Sequence, residues 1–191
     1  MKMFILLLAL LTFSSCVQEF NFYFFALEMF NKHNAYRALH GFFNTNYNDE
    51  LGAIGLQQAT RMAEEMRFFY SNSTYKGKNL GENFFYCNSF DGSTCLTQYD
   101  VAGYWYNEYY DYCFSSKSFT KEVRNFITMV WKETTLFGCG YEYRNYYEAM
   151  DAYFIVCVYY PGPHPTNGPT AEEIEANLLD RTDGNKKADP C

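Results

Sequence analysis

Few residues of this chain have the type and spacing for chemistry, and the stretch from Tyr104 to Cys139 holds most of the candidates. Glu108 falls beside Trp105 on a predicted helix, where its carboxylate is internal. A carboxylate in such a place can move protons, hold a cation or accept hydrogen bonds from buried N–H groups. Farther on, Trp131 follows the apolar run Phe126, Ile127, Met129 and Val130 and reads as core. Gly138 and Gly140 flank Cys139 and read as a tight turn into a strand, with the cysteine well placed for a disulfide.

Nucleophilic catalysis of the Ser–His or Cys–His kind needs an imidazole near the nucleophile. The chain has three histidines, His33, His40 and His164, and the last lies in a Pro-rich tail. His33 and Arg37 are four residues apart on a predicted helix, share a face and read as a pair bracing that helix against a loop. Paired carboxylates can hydrolyse glycosides, but apart from abundant Tyr nothing marks a sugar groove. The chain therefore reads as a protein that is not an enzyme.

The cysteines set the compartment. Residues 1–16 read as a secretory signal: Lys2, an apolar run from Phe4 to Phe13, then small residues with cleavage after Cys16. The run is too short to span a bilayer. Cys87, Cys95, Cys113, Cys139, Cys157 and Cys191 remain, an even set that in a secreted chain predicts disulfides. Six cysteines permit fifteen pairings; Cys87 with Cys95 would close a short polar loop, and the partners of Cys113 and Cys191 stay open. None has zinc-ribbon spacing. Asn72-Ser73-Thr74 is an N-glycosylation sequon in a polar loop.

The elements that must position these residues follow from periodicity. Helices are predicted over 19–40, 48–69 and 97–110, a strand over 80–86, and a hairpin of strands over 141–143 and 152–160 joined by a loop over 144–148. After Pro161 the composition turns to Pro, Gly, Asn and acid; this tail reads as largely poorly ordered or cysteine-tethered, with a short helix over 172–179. The fold class implied is α+β, a three-layer α-β-α sandwich with a small, largely antiparallel sheet between helices. A net charge of −7 and a pI near 5.0 argue against nucleic acid. No long basic run points to an anionic membrane surface, and no segment reads as membrane-spanning. With 19 Tyr and 19 Phe, many rings must reach the surface or line a pocket.

Four stretches, in order, resemble the CAP superfamily of cysteine-rich secretory proteins, insect antigen 5, plant pathogenesis-related proteins of class 1 and helminth venom allergen-like proteins. They are His33-Asn34-Ala35-Tyr36-Arg37, Leu80-Gly81-Glu82-Asn83, Trp105-Tyr106-Asn107-Glu108 with Asn125 to Trp131 and Gly138-Cys139-Gly140, and Tyr153 to Gly162. The match covers roughly residues 22–165 and is of the venom allergen-like type. It implies a domain over 17–165 followed by an extension over 166–191, and a disulfide between Cys139 and Cys157. Many members gather two His and two Glu in a central cleft that takes a divalent cation. Here Glu82 and Glu108 hold the carboxylate positions, while Tyr70 and Asn125 stand where the histidines belong. Tyr and Asn are poor zinc ligands, so the resemblance implies a degenerate cleft, no metal and no cofactor, with Glu82 and Glu108 hydrogen-bonded to Tyr70, Asn125 and backbone. Tyr112, Phe114 and Phe119 fit the caveolin-binding-like aromatic pattern of the sterol-binding members. The resemblance thus implies a sterol such as cholesterol as partner, with a fatty acid between helices as a second lipid. The rival expectation is an immunomodulatory or signalling ligand that contacts a host or self receptor protein through its Tyr-rich surface.

Overall fold

The computed structural model describes residues 22–89, 96, 99–146 and 150–191. The expected signal segment 1–16 and Cys95 lie outside the described residues. Residues 22–39 form helix α1, whose buried stripe Phe25, Met29, His33 and Arg37 advances four residues at a time. A short strand β1 (Asn46–Tyr47) leads into α2 (Asp49–Glu65), which Asn48 caps by accepting a hydrogen bond from the Leu51 N–H. The helix stops at Met66, in the left-handed conformation, and not near 69 as its composition predicts.

A two-stranded ribbon follows, β2 (Thr74–Tyr75) with β3 (Lys78–Asn79), then β4 (Gly81–Ser89). Helix α3 (Val101–Asn107) tightens into a 3₁₀ turn, Glu108–Tyr110. After the aromatic loop come α4 (Arg124–Met129), β5 (Leu136–Tyr146), β6 (Met150–Tyr160) and α5 (Ala171–Asn177). The sheet order is β1-β5-β6-β4, antiparallel except for β1 on β5. The loop predicted over 144–148 is strand through Tyr146.

Period-two alternation along β6 builds the layers. Ile155, Cys157 and Tyr159 join one core with α1, α3 and α4, while Ala152, Phe154, Val156 and Val158 join the other with α2. Helices thus cover both faces of the small sheet, and the three-layer α+β sandwich is borne out. Cys139 and Cys157 stand opposite each other on β5 and β6 and are disulfide-bonded. Cys113 is bonded to Cys191. Cys87 is also disulfide-bonded.

Gly138 and Gly140 are not a turn. They lie inside β5, where α2 rests directly on the strand. A Cβ at Gly138 would come 2.2 Å from the Gly52 nitrogen, and one at Gly140 would come 2.2 Å from the Leu56 nitrogen. Backbone against backbone leaves no room for a side chain. Gly140→Ala is expected to destabilise the protein by about 3 kcal/mol in denaturant unfolding, or to prevent folding. An unfolding midpoint equal to that of the unsubstituted protein would contradict this contact.

Candidate functional site

Each residue of the expected cleft has a defined partner. Glu82, the second residue of β4, is buried, and its carboxylate accepts from the Ser71 backbone N–H at 2.9 Å and from the Ser71 hydroxyl. Tyr70 is not its partner, contrary to the expectation. Glu108 accepts from the backbone N–H groups of Asn125 at 2.8 Å and Phe126 at 3.0 Å, and from the Asn125 amide at 2.6 Å. The reason is local: Val123, at the N-cap of α4, has no capping side chain, so Glu108 satisfies the free N–H groups from outside the helix. Burial pushes the Glu108 carboxyl up to about 7 despite those three donors.

Arg124 is the residue that sequence reasoning missed. It begins α4, donates to the Tyr70 hydroxyl at 3.3 Å, and lies 5.5 Å from the Tyr70 ring centroid and 5.9 Å from that of Phe119. The guanidinium thus lies close enough to Glu108 for its charge to be felt there, its Nε buried without a partner. Its adjacency to Asn125 was the available signal. Burial raises the Tyr70 phenol, with Arg124 opposing.

The histidines are elsewhere. His33 donates from Nδ1 to the Met29 carbonyl at 2.7 Å and accepts at Nε2 from the Tyr159 hydroxyl at 2.8 Å. Arg37 does not pair with it. The guanidinium donates instead to the carbonyls of Phe43, Met129, Trp131, Lys132 and Thr134, so the two residues brace α1 independently. His40 donates to the Leu179 carbonyl and accepts from the Tyr106 hydroxyl.

In the aromatic loop, Tyr112 is 1% exposed and belongs to the core. Its ring meets Phe114 at 4.8 Å and Phe126 at 5.8 Å. Phe114 and Phe119 are half-buried. The tail is fastened over this region. The Lys187 ammonium donates to the Tyr110 and Tyr112 carbonyls, Tyr109 donates to Asp180, and Ile174 and Leu178 are buried in the same core. Asn72 is exposed in a left-handed conformation, its side-chain oxygen accepting from Thr166.

Residues 30–159 match the family model of CAP, the cysteine-rich secretory protein family. Golgi-associated plant pathogenesis-related protein 1 of Homo sapiens is 30% identical over 147 residues, 76% of this chain and 88% of that protein. Protein PRY2 of Saccharomyces cerevisiae is 29% identical over 117 residues, and the chain spans only 32% of its length. Among solved structures, venom allergen-like protein 4 of Schistosoma mansoni superposes with a TM-score of 0.50 at 19% identity, over 78% of this chain and 97% of that one. Na-ASP-1 superposes with a TM-score of 0.54 at 18% identity, over 74% and 39%. These two likenesses are of fold.

Two buried groups give opposite pH dependences. Between its ordinary value of 4.5 and about 7, folded Glu108 keeps a proton that the unfolded chain releases, so its contribution to stability falls as pH rises. Burial lowers His33 from 6.5 to about 4, so the unfolded chain takes that proton first and stability falls as pH falls. His40 is lowered in the same sense, by burial. Glu108→Gln is therefore expected to show a steeper rise of melting temperature from pH 4 to 7 than the unsubstituted protein. Parallel profiles would show that Glu108 does not titrate in this window.

Proposed function

The chain belongs to the cysteine-rich secretory protein family, CAP, and on that premise we propose that it is a secreted, non-enzymatic protein that binds sterol at the 112–119 loop. The observation that carries the reading is the pair of half-buried rings, Phe114 and Phe119, on one loop. Phe114 packs edge-on against Tyr112 and Tyr109, which form a rigid apolar floor beneath it. Phe119 lies against Arg124 and Gly168. A flat, rigid ligand laid on these rings loses little conformational freedom. Burying a few hundred Å² of apolar surface at roughly 25 cal/mol per Å² contributes several kcal/mol before the costs of association.

Other features agree with the rest of the proposal. Glu82 and Glu108 are engaged as hydrogen-bond acceptors, and His33 and His40 use both ring nitrogens, so none of these groups is free for hydrolysis. Disulfides at Cys113–Cys191 and Cys139–Cys157 fit an oxidising compartment. Among the described residues no helix is long and apolar enough to cross a membrane. Asn72, exposed, is open to a glycan.

A second reading, a ligand for a receptor protein, is favoured by the outward rings of Phe43, Tyr104 and Tyr110, at 93%, 61% and 55% exposure. Cholesterol binding to the disulfide-intact protein separates the two. Saturable binding that is lost in Phe114→Ser/Phe119→Ser, with the circular dichroism spectrum unchanged, is the expected result. Binding unaffected by the double substitution removes the loop from the reading. No binding to the unsubstituted protein leaves the receptor ligand in front.

A further inference from the structure

A cavity of about 560 Å³ opens between α5, the 161–169 segment and the start of the chain after α4. It is lined by Trp131, Glu133, His164, Glu172 and Glu173, together with prolines, glycines and amides. No Lys or Arg lines it, and nothing more apolar than Pro, Ala and the single Trp does. The wall therefore disfavours an anion, and it lacks the aliphatic surface a lipid chain or sterol needs.

Its donors are also unspent. Trp131 is 4% exposed, and its indole N–H has no hydrogen-bond partner among the described residues. His164 accepts at Nδ1 from the backbone N–H groups of Thr166 at 3.2 Å and Asn167 at 3.1 Å. That fixes the neutral ring with its proton on Nε2, which likewise has no partner among the described residues. Glu173 is occupied by the Thr170 N–H in the capping box of α5, and Asn177 by Glu133 N–H and the Glu173 carbonyl. Glu133 remains as an open acceptor at the rim. Glu172, beside it on the lining, already accepts from its own backbone N–H and from the Thr170 side chain, which hold its carboxyl below the usual carboxylate range and keep it anionic. The nearby cation Lys117 is outside the lining and paired with Glu175, and its charge is also felt by Glu172.

We infer that this cavity binds a small hydroxylated organic cation of the amino sugar or amino alcohol class. The ammonium sits against Glu133 and Glu172, and the hydroxyl oxygens accept from the Trp131 and His164 N–H groups. The site is distinct in chemistry from the aromatic loop, although they share a wall: Gly168 lines the cavity and packs against Phe119.

Trp131 is one of two tryptophans, and the other, Trp105, is fully buried with its N–H donated to the Phe84 carbonyl. Intrinsic fluorescence titrated with glucosamine, and separately with glucose, reports on the site, with ligand-observed NMR as the second readout. Saturable glucosamine binding, little response to glucose, and a loss of affinity of about tenfold in Glu133→Gln/Glu172→Gln are expected. Both substituted side chains are exposed, so the melting temperature should hold. Equal binding of glucose and glucosamine, unchanged affinity in the double variant, or no saturable glucosamine binding at millimolar concentration would each overturn the assignment. Because neither Glu lies on the 112–119 loop, cholesterol binding is read independently in the same variant.

Discussion

The arrangement depends on one buried charge. The Arg37 guanidinium is 1% exposed and has no carboxylate within ion-pair distance among the described residues. Burying a cation is expensive unless its N–H groups are satisfied. Here they are satisfied by backbone carbonyls alone, four of them from the segment 129–134 and one from Phe43. Burial lowers the guanidinium to about 10, which still leaves it charged at neutral pH. The connection between α4 and β5 must therefore turn its carbonyls inward. That fixes where β5 begins and so which residues face α2. The two glycines of β5 fall opposite the helix backbone for this reason.

The same logic unites the other short stretches. His33 on α1 reaches Tyr159 on β6, the Tyr159 hydroxyl accepts from Asn83 on β4 at 3.3 Å, and Asn83 donates to the Asn125 carbonyl on α4 at 2.9 Å. One chain of hydrogen bonds thus links a residue from each family-like stretch. In a low-dielectric interior such a network specifies one packing of helices on sheet, because any other leaves polar groups unpaired. These residues are braces, and Glu108 belongs with them through the cap it provides to α4.

This explains what the sequence made legible. Helical periodicity over 19–40 and a strand over 152–160 were legible because burial imposes those periods directly, but which residues of α1 form the buried stripe was not, since exposed rings such as Phe24 fall among them. The places of Glu82 and Glu108 followed from ordered short stretches. Gly138 and Gly140 misled because close backbone approach and a tight turn use the same residue, and only the neighbouring helix tells them apart. Residues Arg144 to Tyr146 looked like loop because that end of the hairpin carries polar side chains; backbone pairing with β6 keeps it extended. Tyr112 looked like a ligand contact, yet the tail, tied back by Cys113–Cys191 across a sequence separation of 78, helps to cover it. Nothing local to 112–119 records that.

Arg124 shows how a degenerate cleft remains self-consistent. Burial pushes the Glu108 carboxyl up, and the Arg124 charge opposes that shift. With Tyr70 and Asn125 at the other two positions, the chain supplies a guanidinium of its own nearby, held by the Tyr70 phenol and the Phe119 ring. Asn125 then gives Glu108 two N–H donors, a backbone and an amide, where an imidazole would have contributed a ligand atom. The guanidinium also touches Phe119, and Phe119 touches Gly168, whose φ of +70° and absent Cβ let the ring approach; a Cβ there would meet that ring at 2.6 Å. Cleft, aromatic loop and acidic cavity are thus three sides of one packed group. The placement of a single phenylalanine ring is set from the cleft side by a cation and from the cavity side by a glycine. A change at either end must move the ring that the loop offers to a ligand.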